Sequence, residues 1–133
     1  MISNIFDETP DVRAEIAKSS RISEVDAWAL TSDPHSYVRA MLAANPSVSA
    51  ALLDRLSQDT DSNVRGAVAR NPNVTSELSY RLAEDTRAQV VEEVASSIYT
   101  PLELLRKLRS TSDNVFVRQF AKETIKKLAR GSK

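Results

Sequence analysis

A chain of 133 residues with 18 basic and 18 acidic side chains fits one domain and is too short for two independent cores. The absence of cysteine excludes disulfides, thiolate metal sites and iron–sulfur clusters, and the ordinary apolar and charged fractions exclude a disordered tail. With 2 glycines there is little material for hairpin turns and bulges, so helices are expected instead of sheets.

The opening Met1-Ile2-Ser3-Asn4-Ile5-Phe6 has no basic region and no apolar run of signal-peptide length. No window reaches the length of a membrane span, so the expectation is a cytoplasmic protein without a membrane role. The neutral total hides an asymmetry. Residues 1–100 hold nine Lys/Arg against fifteen Asp/Glu, a net of −6, whereas residues 101–133 hold nine against three, a net of +6.

Internal repetition organises the chain. Val12, Val38, Val64 and Val90 are 26 residues apart, and Val117 follows after 27. Ala17, Ala43, Ala69 and Ala95 keep the same period, as do Leu30, Leu56, Leu82 and Leu108, and Asp7, Asp33, Asp59 and Asp85. Four columns on one period divide a single domain, 1–133, into repeats at about 7–32, 33–58, 59–84 and 85–111, with 112–130 as a C-terminal cap. The prediction is an all-α solenoid of about five 26-residue helical-pair repeats.

Taken in chain order, the first repeat opens its second helix at Ser23 and puts Asp26 where its neighbours carry Leu52, Leu78 and Leu104, an altered face suited to an end repeat. In the second, Asn45-Pro46 stops the first helix, because a residue before proline is pushed out of the helical region. Ser49 then supplies a hydroxyl cap, and Leu52 and Leu56 form one stripe. The third repeats this with Val64 and Val68 one turn apart, Asn71-Pro72, Thr75, Leu78 and Leu82. The fourth departs from it: Val91 replaces the usual arginine, Glu92-Glu93 follows, and Thr100-Pro101 fills the cap slot before Leu104 and Leu108. The last segment places Val117, Phe120, Ala121, Thr124, Ile125 and Leu128 on one face, and Lys122, Lys126, Lys127 and Arg130 on the other. None of the paired helices is long enough to stand alone, so each must be buried against its neighbours.

The run Val64-Arg65-Gly66-Ala67-Val68-Ala69-Arg70-Asn71-Pro72, continued by Glu77-Leu78 and Arg81-Leu82-Ala83-Glu84-Asp85, resembles the leucine-rich repeat variant (LRV) family. Val38-Arg39 through Asn45-Pro46 and Leu52-Leu53 to Asp59 follow the same pattern, and the similarity extends over about residues 7–128. The resemblance implies a right-handed α-α superhelix in which short and longer helices alternate, some of them 3₁₀. The chain also resembles HEAT repeats, in which an Asp and an Arg six residues later recur. Neither family implies a single biochemical activity.

Two basic columns compete as functional candidates. Arg13, Arg39 and Arg65 each follow an aspartate by six residues (Asp7, Asp33 and Asp59), so a structural ladder of Arg–carboxylate pairs is preferred to a phosphate-binding ladder. Asp113/Arg118 is one residue short of that spacing. Arg55, Arg81 and Lys107, with Arg106 and Arg109 nearby, have no aspartate at fixed spacing. They lie on the second helices, taken as the inner, ligand-facing row.

Trp28 and Tyr80 share one repeat position with Asp54 and Arg106, a tolerance that suggests exposure. Tyr80 is the interface candidate, and Trp28 is read as a cover over the open end of the core. His35 has no second histidine or cysteine to complete a metal site and reads as a surface loop residue. Glu92 and Glu93 point about 100° apart on a helix and do not converge for acid–base chemistry.

No nucleophile–base pair, glycine-rich phosphate loop or nucleotide motif is present, so no enzyme activity and no cofactor are expected. The expected function is a protein–protein interaction scaffold with an unidentified protein partner at Arg55, Tyr80, Arg81, Arg106 and Lys107. The alternative is binding to the nucleic-acid backbone through the basic C-terminal third. Acidic and basic ends also allow weak head-to-tail self-association beside a monomer.

Overall fold

The computed structural model describes residues 4–131, so the first three residues of the N-terminal segment read above lie outside it. The described residues form nine α-helices and one 3₁₀ turn, Ile5–Asp7, with no strand. The helices are α1 Pro10–Lys18, α2 Glu24–Leu30, α3 Ser36–Ala44, α4 Ala50–Leu56, α5 Ser62–Ala69, α6 Ser76–Leu82, α7 Ala88–Ser96, α8 Leu102–Thr111 and α9 Val115–Gly131. None of them is long and apolar enough to cross a membrane.

Helix starts follow the capping chemistry of the sequence. The Ser23, Ser49 and Thr75 hydroxyls accept from the N–H groups of Asp26, Leu52 and Leu78 and open α2, α4 and α6. Thr9 does the same for Val12 at the head of α1. Pro101 opens α8 without a side-chain cap, since it has no hydroxyl to offer. The chain turns extended at Asn45, before Pro46, which ends α3. The repeat helices are α throughout, and among the described residues the only 3₁₀ element is the N-terminal turn, held by a capping box between Asn4 and Asp7.

The odd-numbered helices form one row, α1 against α3, α3 against α5, α5 against α7, and α7 against α9. The alanine column makes this approach possible: Ala17, Ala43, Ala69 and Ala95 are all fully buried along it. So are Val38, Val64, Val90 and Val117, whereas Val12 on the end helix α1 is 41 % exposed. The even-numbered helices bury Leu52, Leu56, Leu78, Leu82, Leu104 and Leu108 against the flanking odd-numbered ones. Each such leucine contributes about 1.5–3 kcal/mol, which is how helices of 7 to 10 residues become stable together.

Successive odd-numbered helices make the closest packing, and the even-numbered ones stand further apart, with α8 turning instead onto α9. The alanine column of the first helices thus marks the close approach, and the second helices, read as the inner, ligand-facing row, are the more widely spaced of the two rows. Their small-residue counterparts on the first helices allow the nearer approach, and bulky leucines hold the second helices away from one another.

Candidate functional site: the groove between the fourth and third helix pairs

Polar rungs tie successive repeats together, and one further ion pair, Arg81 with Asp54, crosses directly between two second helices, so the place where these are missing defines the site. Arg39 donates from Nε and Nη2 to both carboxylate oxygens of Asp59, at 2.8 and 3.1 Å. Arg65 does so to Asp85, at 2.8 and 3.0 Å, and Arg13 Nε reaches Asp33 at 2.7 Å. Each aspartate therefore belongs to the following repeat, 20 residues on, and the pairing expected within a repeat is corrected.

The residue six positions before the arginine contributes its backbone carbonyl instead. Arg39 Nη1 donates to Asp33 O at 2.6 Å and Arg65 Nη1 to Asp59 O at 2.8 Å. Arg118 Nη1 makes the equivalent bond to Ser112 O at 2.7 Å and does not use Asp113. Asp7 stands outside the ladder, because its carboxylate caps Asn4 N–H and Arg13 turns to Glu8 O.

Each ladder aspartate also accepts the N–H two residues on, from His35, Asp61 or Arg87, and so fixes the start of the next first helix. Hydrogen bonding to Arg65, assisted by the Arg87 N–H, holds the Asp85 carboxyl below its ordinary range against the opposing effect of burial. The same bonds, to Asp59 and Asp85, raise Arg39 and Arg65.

A second ladder was not foreseen. Asn45 and Asn71 had been read only as helix stops, yet each side-chain amide reaches back into the previous repeat. Asn45 Nδ2 donates to Ala17 O and Ser19 O, both at 2.8 Å, and Asn71 Nδ2 to Ala43 O and Asn45 O, at 2.7 and 2.9 Å. The buried amides thereby satisfy carbonyls left over at the helix ends. Asparagine recurring at the repeat period before proline was the available signal.

Both ladders fail at the fourth repeat. Val91 stands where an arginine belongs, Ser112 stands where its aspartate would be, and Ser97 replaces the asparagine. A third bridge fails there too. Between α4 and α6, Arg81 Nη2 donates to Asp54 Oδ1 at 2.5 Å, and the residues one repeat later are Lys107 and Tyr80, which make no ion pair. The reading of Arg81 as an unpaired cation is thus corrected: its partner sits 27 residues back on the neighbouring helix, a spacing not sought in the sequence.

The result is a groove of about 490 Å³ between α6 and α8. One wall is Glu77, Tyr80 and Arg81 of α6 with Glu84 in the turn that follows it, and the other is Leu104, Lys107, Leu108 and Thr111 of α8 at helical i, i+3, i+4, i+7 spacing. Val91 and Ser112, the two residues of the missing rung, also line it.

Of the sequence-predicted partner-binding residues, the structure brings Tyr80, Arg81 and Lys107 together here. Arg55 and Arg106 are exposed on α4 and α8 outside the groove. Glu77, Glu84, Val91 and Ser112 were missed as site residues. The two helical stripes and the coincident loss of Arg and Asp were the signals that could have found them.

Next to Tyr80, Ser79 is buried and its hydroxyl has no hydrogen-bond partner. It occupies the core position that Leu53 and Leu105 fill in the neighbouring repeats.

Trp28 is 36 % exposed and lines a smaller groove of about 240 Å³ with Val48 and Leu52 of the second repeat. It faces its neighbour instead of covering the open end, and that reading is corrected. The N-terminal 3₁₀ turn packs on the first repeat, with Phe6 against the Arg13 guanidinium of α1 at 5.6 Å and Ile5 on the core. His35 precedes α3 with its ring edge-on to Tyr37. Glu93 packs on Gly66 and meets Arg70 at 3.4 Å, which gives that carboxylate a structural partner.

On α9, Val117, Ala121 and Thr124 are buried while Lys122, Lys126, Lys127 and Arg130 are exposed, and Thr124 Oγ1 donates to Ala95 O at 2.6 Å. Among the described residues no group of three or more His, Cys, Asp or Glu side chains could hold a metal ion.

Comparison with protein-family models, with curated proteins and with solved structures finds no match for this chain.

Proposed function

We propose that this chain is a non-catalytic protein–protein interaction scaffold, a right-handed solenoid of the LRV or HEAT-like type acting in the cytoplasm. One observation carries the reading: the groove between α6 and α8 opens where the Arg–Asp rung and the Arg81–Asp54 pair of the preceding gap both lack a counterpart. It offers an exposed tyrosine and apolar floor residues ringed by charge, the composition of a recognition surface. The repeat columns and the residues shared with the LRV pattern support the architecture.

The test is capture from source-cell lysate with the wild type and a Tyr80→Ala/Lys107→Glu variant, with and without nuclease. Neither residue carries an internal ion pair, unlike Arg81, whose reversal would set a carboxylate against Asp54. A nuclease-resistant protein partner lost in the variant, at an unchanged melting temperature, is the expected outcome. Equal capture by both proteins would remove the groove from the reading.

The alternative, binding to the nucleic-acid backbone, draws on the exposed Lys122, Lys126, Lys127 and Arg130 of α9. Capture abolished by nuclease and steeply weakened by salt would favour it.

A further inference from the structure

We propose that the two ends of the helical stack bind each other, the α1 face of one copy of this chain seating on the α9 face of a second copy, head to tail. The contact uses neither wall of the α6/α8 groove and goes beyond the scaffold reading. The two ends are finished differently. Val38, Val64, Val90 and Val117 are fully buried, and Val117 is so on α9, which among the described residues has no helix after it in the odd-numbered row. The valine column is therefore covered from the preceding helix. On α1, which has no such neighbour among the described residues, Val12 keeps the apolar side chain of the column and is 41 % exposed. The alanine column behaves in the opposite way. Ala17 is fully buried on α1, so the following helix covers it, and on α9 the residue 27 positions after Ala95 is the exposed Lys122. The last helix thus closes the stack with charge, whereas the first leaves a core position open.

The two faces are opposite in sign. Asp11 and Glu15, one turn apart on α1, flank Val12, and Glu8 stands just before the helix. The one cation exposed with them on α1, Lys18, pairs with Glu15 at 3.1 Å. On α9, Lys122, Lys126 and Arg130 recur every fourth residue along the exposed side, with Lys127 beside them. The carboxylate among them is Glu123, 3.9 Å from Lys126. Val115, two turns before Lys122 on the same side, is exposed and gives Val12 an apolar neighbour.

Charge selects the partner. A two-fold pairing of α1 with α1 sets carboxylates against carboxylates, and α9 on α9 sets lysines against lysines, so the mixed pairing is the attractive one. A heterologous contact leaves one α1 face and one α9 face free on every pair, and growth continues past the dimer.

The experiment is sedimentation velocity of the whole chain over a concentration series at low and at high salt. At low salt the average mass should rise with concentration beyond that of a dimer, and at high salt it should return to the monomer as exposed charges are screened. Asp11→Lys/Glu15→Lys and Lys122→Glu/Lys126→Glu alter exposed residues and should melt with the wild type, yet each alone should associate at least about tenfold more weakly. Mixed in equal amounts they should associate again, since one supplies a basic α9 and the other an acidic α1. A monomer at every concentration in low salt would overturn the inference, whether or not the α1 face captures some other protein. Growth that stops at a dimer would also overturn it, as would folded variants that associate like the wild type or do not recover on mixing.

Discussion

The gap between α4 and α6 and the gap between α6 and α8 are built from the same repeat, yet one is bridged and the other open. In the first, Arg65–Asp85 and Arg81–Asp54 cross from one repeat to the next, and Asn71 and Asn73 both reach back to carbonyls of the second repeat. In the second, valine, serine, tyrosine and lysine occupy the matching positions, and the stack is held by leucines on α8 and by α9. The stack continues past the missing rung on apolar packing together with the Arg70–Glu93 pair and the Gln89–Asn63 hydrogen bond, so no single rung is required to extend it. Where a rung is absent the surface becomes available for something else.

The largest expected contrast lies along the arginine ladder. Asp59→Ala leaves Arg39, whose side chain is 14 % exposed, without its carboxylate, and should cost about 3–5 kcal/mol in denaturant unfolding. Ser112→Ala, at the missing rung, removes only the acceptor for the Asn114 N–H and should cost no more than about 1 kcal/mol. Equal costs at the two positions would mean that the open rung is held by something other than packing.

The asparagine ladder predicts a smaller difference. Asn71→Ala strips the buried carbonyls of Ala43 and Asn45 of their donor and should cost about 2–3 kcal/mol. Ser97→Asn should add up to about 1 kcal/mol if the new amide reaches the equivalent carbonyls of the third repeat. A destabilised Ser97→Asn would show that the fourth junction is shaped differently from the third.

The smallest effect is a pH dependence. Asp85 is held below the ordinary carboxylate range by Arg65, so the unfolded chain binds its proton first on acidification. Its contribution is complete above the unfolded-state value of about 3.9 and is lost as pH falls through the folded one. The stability gap between the wild type and Asp85→Asn should therefore narrow below about pH 4. A gap that stays constant into that range would place the effect of the carboxylate elsewhere.

Much of the local structure was legible in the residues. Ser23, Ser49 and Thr75 cap the helices they were expected to cap, Asn45-Pro46 ends its helix, and the alanine and leucine columns are buried. These features are local or periodic, and a linear pattern carries them. The pairing of Arg39 with Asp59 was not legible, because an aspartate six residues away and one twenty residues away both recur with the same period. A repeat reports that two columns are coupled but not which copies meet. Arg81 with Asp54 escaped for the same reason, and Trp28 was assigned to the wrong side of its repeat.

The sequence by itself determined the starts of the second helices at Ser23, Ser49 and Thr75, the helix stop at Asn45-Pro46, the repeat length and the alanine and leucine columns of the core, since capping, proline geometry and apolar periodicity act within a few residues of the chain. Only the tertiary structure decided which arginine meets which aspartate, and that the loss of Arg and Asp at the fourth rung leaves a groove. Those outcomes depend on distances between residues 20 or more apart in the chain, and only the packed stack sets such distances.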